Sequence, residues 1–221
     1  MIYTQGEADM KSSNLAMSIV AGLFLALSVG ELFAANTVDY QPRFGVKIRI
    51  GGRFDNMRMC VASPAGAKGG LAADISAFAE FPIGNKEVLL HVDLPLMRPI
   101  LFAFAFRMVQ FEPTVMLKFS GRHNNNVGWV AGPVLGVSLH YGPDYHSEAS
   151  GSGRTESFIA LGPIFGGYAG LDFRRPDKRF NVQLGLSPHI TPLYSIGGTR
   201  NRSGVVIGGL VDGTFRFKSK N

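Results

Sequence analysis

The chain has 221 residues, of which 46% are hydrophobic and only 17% are charged, and its formal net charge is +6. Soluble domains carry about 25% charged residues and about 7% glycine, whereas this chain has 28 glycines and 17 phenylalanines. This composition excludes a disordered chain, which is rich in charge and poor in aromatic residues. The single cysteine excludes a disulfide-stapled scaffold and a thiolate zinc site.

The N-terminal segment has the pattern of a secretory signal peptide. Lys11 precedes an apolar run over residues 15–29, and Phe33-Ala34-Ala35 ends the segment with small residues. The apolar run is shorter than the roughly 20 residues that a membrane-spanning helix needs. We therefore predict a signal peptide over residues 1–35, with Met10 as an alternative start of translation.

After Ala35 the sequence alternates between apolar and polar residues with the period of a β-strand. In FGVKIRI, residues 44–50, the aromatic and aliphatic side chains fall on one face, and glycine, lysine and arginine fall on the other. Most of the predicted strands reach the roughly 9–11 residues of a tilted transmembrane strand. The predicted strands are residues 44–54, 71–83, 88–96, 109–120, 128–141, 156–173, 179–190 and 204–217.

Short and long connections alternate between these strands. Bacterial outer-membrane barrels have short periplasmic turns and longer external loops. The sequence therefore predicts an all-β, eight-stranded antiparallel transmembrane β-barrel over residues 44–217, with a periplasmic segment at 36–43 and a short tail at 218–221. The predicted short turns are 84–87, 121–127 and 174–178, and the predicted long connections are 55–70, 97–108, 142–155 and 191–203.

Aromatic residues recur on the apolar face of most predicted strands, near the short-turn end. Membrane barrels place such a girdle at the lipid–water interface. The core of a soluble β-sandwich, which is the alternative fold, gives no reason to align aromatic residues at strand ends of one polarity. The girdle residues are Phe44, Phe81, Phe119, Trp129, Phe173, Phe180 and Phe217.

The opposite face of the strands carries polar residues and charges of both signs, which can pair inside a narrow interior. Six of them, Lys47, Arg49, Glu80, Lys118, Asp172 and Arg216, are predicted to form a charged layer toward the periplasmic end. The candidate lumen-lining residues are Lys47, Arg49, Asp74, Glu80, Asp93, Lys118, His140, Asp172 and Arg216, and the same face carries His91, Glu112 and Asp212.

Glycines share this inward face on the predicted fifth and sixth strands. Two explanations stay open: barrel curvature with room for large opposing side chains such as Phe78 and Tyr168, or an open space along that wall. The candidate lumen glycines are Gly132, Gly136, Gly162, Gly166 and Gly170.

Three sequence segments resemble the OmpW family of small outer-membrane proteins. They are FEPTVMLKF at 111–119, VAGPVLGVS at 130–138 and the closing GTFRF at 213–217. The resemblance implies a narrow, largely hydrophobic channel for small molecules, with conduction along the axis or lateral release into the membrane.

Two prolines bear on lateral release. Pro133 and Pro163 lie on the predicted lipid face of strands five and six, in the matching contexts GPVLG and GPIFG. Because proline cannot donate a ladder hydrogen bond, one hypothesis is a weak seam between these two strands. The alternative is a harmless bulge.

Three functional hypotheses follow. The first is a narrow outer-membrane channel for small hydrophobic or amphipathic solutes, and the second is a non-conducting surface barrel whose external loops bind host or matrix ligands. The third is a lipid-modifying enzyme, since Ser138, His140, Asp172 and His189 share the inward face. A nucleophile needs a base within hydrogen-bond reach and a third group to orient that base, and no motif indicates this arrangement, so we predict no enzymatic activity.

The expected partners are outer-membrane lipids and small-molecule solutes, with host ligands at the external loops under the second hypothesis. No cofactor is expected, and no metal site is expected because the five histidines are scattered. Nucleic acid is not an expected partner, since an exported chain without a basic run does not meet it.

Overall fold

The computed structural model describes residues 42–56, 68–83, 85–106, 109–124, 126–143, 157–173, 180–198 and 203–217. The predicted signal peptide and C-terminal tail lie outside these residues, as does all but the last part of the segment at 36–43.

Nine strands and one helix make up the described part of the chain. No helix in this part is both long and apolar enough to cross a bilayer. In chain order the elements are β1 (Arg43–Asp55), β2 (Gly69–Ile83), β3 (Asn85–Pro95), α1 (Met97–Phe106), β4 (Val109–Phe111), β5 (Thr114–Arg122), β6 (Val127–Pro143), β7 (Ser157–Phe173), β8 (Phe180–Gly198) and β9 (Gly204–Phe217).

The strands close into a ring. β1 pairs antiparallel with β2 on one side and with β9 on the other, and β6 pairs with β7. β4 and β5 share one position in this ring, because both pair with β6 and only Glu112 and Pro113 separate them. The predicted eight-stranded antiparallel barrel is therefore confirmed, with its fourth strand divided in two.

Burial follows the alternation in the sequence. Along β1, Lys47 and Arg53 are buried inside the barrel. Phe44, Ile50 and Phe54 come from the alternate positions and are each about half exposed on the outer surface. Successive side chains of a strand point to opposite faces of a sheet, so a closed ring places one set inside and the other outside.

The two ends of the barrel differ in their connections. We call the end where β2–β3, β5–β6 and β7–β8 are joined the turn end, and the opposite end the loop end. The predicted long connection at 97–108 is mostly helix α1. The predicted long connection at 191–203 is wrong over most of its length, because β8 continues to Gly198. Pro192 lies within this extension at an outward position, and the alternation continues around it, with Thr191 and Leu193 buried.

The hypothesis of a weak seam between the predicted fifth and sixth strands, which are β6 and β7, is wrong. Their pairing runs without interruption from Val127↔Phe173 to Pro143↔Ser157. The reason is that a strand residue directs its N–H toward only one of its two neighbours. Pro133 lacks its donor on the side of β5, where pairing stops between Met116↔Val134 and Phe119↔Ala131.

The most interrupted pairing lies between β7 and β8. It stops between Leu161↔Tyr194 and Phe165↔Ile190, a register that places Pro163 across from Pro192. It stops again between Gly166↔His189 and Ala169↔Leu186, where the same register places Pro188 across from Gly167. Three prolines therefore remove three backbone donors from this one seam.

Candidate functional site

The barrel interior holds the densest group of polar side chains in the described residues. Near the turn end Glu80 stands at the centre of a cluster that we call the Glu80 cluster. Its members come from six different strands, and each lies at a position where the alternation directs the side chain into the barrel. They are Glu80, His91, Lys118, Asp172, Gln183 and Arg216.

Glu80 is surrounded by cationic and donor groups. Lys118 forms an ion pair with Glu80, and its Nζ donates a hydrogen bond to Gln183 Oε1 at 2.8 Å. Arg216 Nε lies 2.8 Å from Glu80 Oε2, and His91 Nδ1 lies 3.2 Å from Glu80 Oε1. Glu80 and Lys118 are both 0% exposed. The pair is removed from water and joins β2 to β5 across the interior.

A second polar group lies beside the first. Asp93 forms ion pairs with Lys47 and Arg49, and Arg49 Nη2 also donates to Ser76 Oγ at 2.7 Å. His91 connects the two groups, because its Nε2 lies 3.6 Å from Asp93 Oδ2. The His91 ring also stacks on the ring of Phe78, with centroids 4.6 Å apart.

Toward the loop end a third group forms around Glu112, and we call it the Glu112 cluster. Arg98 Nη1 lies 2.5 Å from Glu112 Oε2, and Arg53 Nη1 lies 3.5 Å from Glu112 Oε1. Ser138 Oγ donates to Glu112 Oε1 at 3.0 Å, and His140 Nε2 lies 3.1 Å from the same oxygen. Glu112 comes from the break between β4 and β5, where the chain leaves the regular ladder.

The nine candidate lumen-lining residues all lie inside the barrel. Eight are buried, and Arg49 is nearly so. They do not form one layer: Asp172 and Arg216 belong to the Glu80 cluster, and His140 belongs to the Glu112 cluster. The six residues predicted as one charged layer divide between the Glu80 cluster and the group around Asp93.

Three charged residues in this interior were not among the predicted ones, and they are Arg53, Asp55 and Arg98. Arg53 lies near the end of β1, four residues after Arg49. The alternation in the sequence therefore already places its side chain on the inward face. Arg98 was assigned to a loop, although it is the one charged residue in the run MRPILFAFAF. A lone arginine in an apolar run is a signal that its charge has a buried partner, here Glu112.

The groups considered for catalysis do not form a nucleophile–base pair. Ser138 and His140 both contact Glu112, and His140 Nδ1 lies 3.4 Å from Gln110 Nε2. Asp172 contacts Arg216 near the opposite end of the interior. In the described part of the chain no group of three or more His, Cys, Asp or Glu side chains is placed to hold a metal ion.

The inward glycines permit close packing of neighbouring strands. At each of the five candidate lumen glycines, a Cβ atom would clash with a backbone carbonyl of the adjacent strand. The rings of Phe78 and Tyr168 occupy the space beside Gly45 and Gly185. These contacts favour the first of the two explanations, curvature and room for large side chains, over an open space along that wall.

A small cavity remains between the Glu80 and Glu112 clusters. Its volume is about 40 Å³, and a buried water needs about 10–15 Å³, so it has room for a few water molecules. Met116, Ile164 and Leu210 form apolar parts of its wall, and Lys47 and His189 form polar parts. The cavity is too small to hold an organic solute.

The glycine packing gives a testable difference between two positions on β1. We expect Gly45→Ala to lower the free energy of unfolding by about 1–3 kcal/mol, the range for overpacking, because the new methyl would meet Phe215 O and the Phe78 ring. Gly52→Ala is the matched control, since nothing lies within 4 Å of its Cβ position. Urea titration of both refolded variants measures the difference, and equal stabilities would contradict this account of Gly45.

The outer surface carries the predicted aromatic girdle. Phe44, Phe119, Trp129 and Phe217 are each between about two fifths and three fifths exposed, and Phe81 and Phe173 are partly exposed. All six lie on the outward parity close to the turn end. The prediction for the Phe180 side chain lies outside the described residues.

No family model matches the chain, and no curated protein matches it. Among solved structures, the chain is similar to the crystal structure of Neisserial surface protein A, with 14% identity and a TM-score of 0.45. That match covers 80% of this chain and 97% of the other. The resemblance to the OmpW family stays a prediction.

Proposed function

We propose that this chain is an outer-membrane β-barrel that is closed along its axis and acts through its surfaces. The membrane part of the proposal is supported by the outer face of the barrel. Large apolar side chains are exposed on every strand of the ring, among them Ile50, Val115, Leu135, Leu186 and Val211. Monomeric soluble proteins rarely expose apolar patches beyond a few hundred Å², and a closed barrel leaves no unpaired edge in lipid.

The proposal that the barrel is closed along its axis depends on one observation, which is that buried polar side chains occupy its interior. The Glu80 cluster ties β2, β3, β5, β8 and β9 together with side chains that are almost wholly buried. The Glu112 cluster joins further strands toward the loop end, and the small cavity lies between the two clusters. A solute moving along the axis would have to separate buried ion pairs, which is costly in a narrow interior of low dielectric constant.

Planar-bilayer recording of the purified, refolded protein tests this proposal. We expect no steady unitary conductance from the wild-type protein or from Arg122→Ser, which removes an exposed charge at the end of β5. The paired change Glu80→Ser with Lys118→Ser empties the centre of the Glu80 cluster and is expected to permit brief openings. Steady conductance by the wild-type protein would show that the interior is an open channel.

Cell fractionation tests the membrane part separately. The protein is expected in the outer-membrane fraction and is expected to need detergent for extraction. A mature protein that stays in solution without detergent would contradict it.

The second candidate function is the narrow channel that the OmpW resemblance implies. The observation that favours it is the position of the cavity, whose wall includes Ile164 and Tyr168 of β7 and Ser187 and Pro188 of β8. These residues border the two interruptions of the β7–β8 pairing, so the cavity adjoins the seam that lacks three proline donors. Ligand binding by the external loops concerns residues such as 57–67 and 144–156, which lie outside the described part of the chain.

A further inference from the structure

Helix α1 presents an apolar face that the barrel does not cover. Phe104 is 87% exposed, and Ile100 and Leu101 are 57% and 49% exposed. Together with the exposed Ala103, these residues follow the spacing i, i+1, i+3, i+4, which places them on one side of a helix. We call this side the α1 face.

The first turn of α1 is attached to the barrel by polar contacts. Leu96 N donates to Ile75 O at 2.9 Å, and Arg98 N donates to Asp74 Oδ1 at 3.0 Å. The buried Asp74 carboxylate thus accepts from a first-turn amide, which has no partner within the helix, and a negative charge is favourable at that terminus. The Arg98 guanidinium turns inward to Glu112. The orientation of the helix is therefore set by buried charges.

Because of this attachment, Arg98, the one charged residue of α1, does not lie on the exposed surface of the helix. The run MRPILFAFAF contains no acidic residue and no basic residue other than Arg98, and Arg98 is buried. The α1 face therefore offers a partner nothing but aliphatic and aromatic groups. A partner that recognises charge or hydrogen-bonding groups is not suited to it.

The α1 face continues the apolar outer surface of the barrel. Leu94 and Leu96 lead into the helix from β3 and are exposed on the outer surface, and Leu71 on β2 is 70% exposed. α1 itself packs against β2 and β4. The apolar surface thus continues from β3 onto the helix, at the loop end, in the sector of the ring between β2 and β4.

We propose that α1 is an interfacial membrane helix, and that the acyl chains of the outer leaflet cover the α1 face. This inference rests on the proposed membrane location of the barrel. The helix lies against β2 and β4, held by the Asp74 and Glu112 contacts, and its exposed side inserts into the boundary between headgroups and acyl chains. Burial of apolar area drives this insertion, as it does for interfacial helices in general.

Site-directed spin labelling in reconstituted lipid vesicles tests the inference. Labels are placed at Phe104→Cys and Leu101→Cys in a Cys60→Ser background, which removes the single native cysteine. Collision with oxygen, which concentrates in lipid, is compared with collision with a water-soluble nickel chelate. Leu186→Cys on the outer surface of β8 is the lipid control, and His123→Cys in the exposed β5–β6 turn is the water control.

We expect the ratio of oxygen to nickel collision at residues 101 and 104 to be several-fold higher than at residue 123 and similar to that at residue 186. A ratio at 101 and 104 equal to that at 123, with residue 186 lipid-like, would overturn the inference and leave the membrane location intact. If residue 186 is water-like as well, the proposed function itself fails. Dipolar broadening between labels at residue 104 would show that a second copy of the chain covers the face, which also overturns the inference.

Discussion

Replacing Glu80 with alanine is expected to lower the free energy of unfolding by about 3–5 kcal/mol, the range for removing one partner of a buried ion pair. Lys118 and Arg216 both lie against this carboxylate and are almost wholly buried. Without Glu80 two cations would stay in the interior next to each other, with Asp172 3.8 Å from Arg216 Nη1 as the nearest acid of the cluster. The expected decrease in the free energy of unfolding therefore comes more from the buried cations left without a partner than from the lost attraction to Glu80.

Urea titration of the refolded protein in vesicles measures this effect, with the fluorescence of Trp129, the single tryptophan, as the probe. Arg122→Ala is the matched control and is expected to change stability by no more than about 0.5 kcal/mol, because surface substitutions are usually this small. Adding Lys118→Met to Glu80→Ala is expected to recover part of the loss, since one of the unpaired cations is removed. A Glu80→Ala variant within about 1 kcal/mol of the wild type would contradict the role assigned to the pair.

Restoring the missing donors between β7 and β8 is expected to slow local opening of this seam. In wild-type protein, the amides of Phe165 and Ile190, which flank the first interruption, are expected to exchange with solvent faster than amides in the uninterrupted β6–β7 pairing. The double variant Pro163→Ala with Pro192→Ala supplies two N–H groups that face each other across the seam. At about 0.5–1.5 kcal/mol for each hydrogen bond, exchange at these amides is expected to slow by about tenfold to hundredfold.

Hydrogen–deuterium exchange of the protein in micelles or nanodiscs measures this change. Pro133→Ala is the control, because its restored donor faces β5 and is expected to leave exchange between β7 and β8 unchanged. Unchanged exchange in the double variant would show that the three prolines do not weaken this seam.

The period-two alternation in the sequence was sufficient to predict the ring of strands and the face on which each candidate residue lies. This works because the pleat of a strand sends successive side chains to opposite faces. Lys47 and Phe44 could therefore be assigned to opposite sides of the barrel without coordinates. The predicted end of β8 at residue 190 is wrong, because the strand continues through Pro192, which lies at an outward position across from Pro163.

Contacts between distant strands could not be predicted from the sequence. Glu80 and Lys118 are 38 positions apart, and their pairing depends on the stagger of every strand between them. The direction of each proline's missing donor is also a property of register. The sequence suggested a weak seam between the strands of Pro133 and Pro163, whereas their donors are missing toward β5 and β8.

By itself, the sequence determined that each strand has one apolar face and one polar face, because that property depends only on the local period of the residues. The tertiary structure alone decided that the strands close into a ring, that buried ion pairs lie in the interior, that the β7–β8 seam lacks donors and that α1 turns its one charge inward to Glu112. These features arise from register and stagger around the ring, and register is set by the whole set of strand pairings.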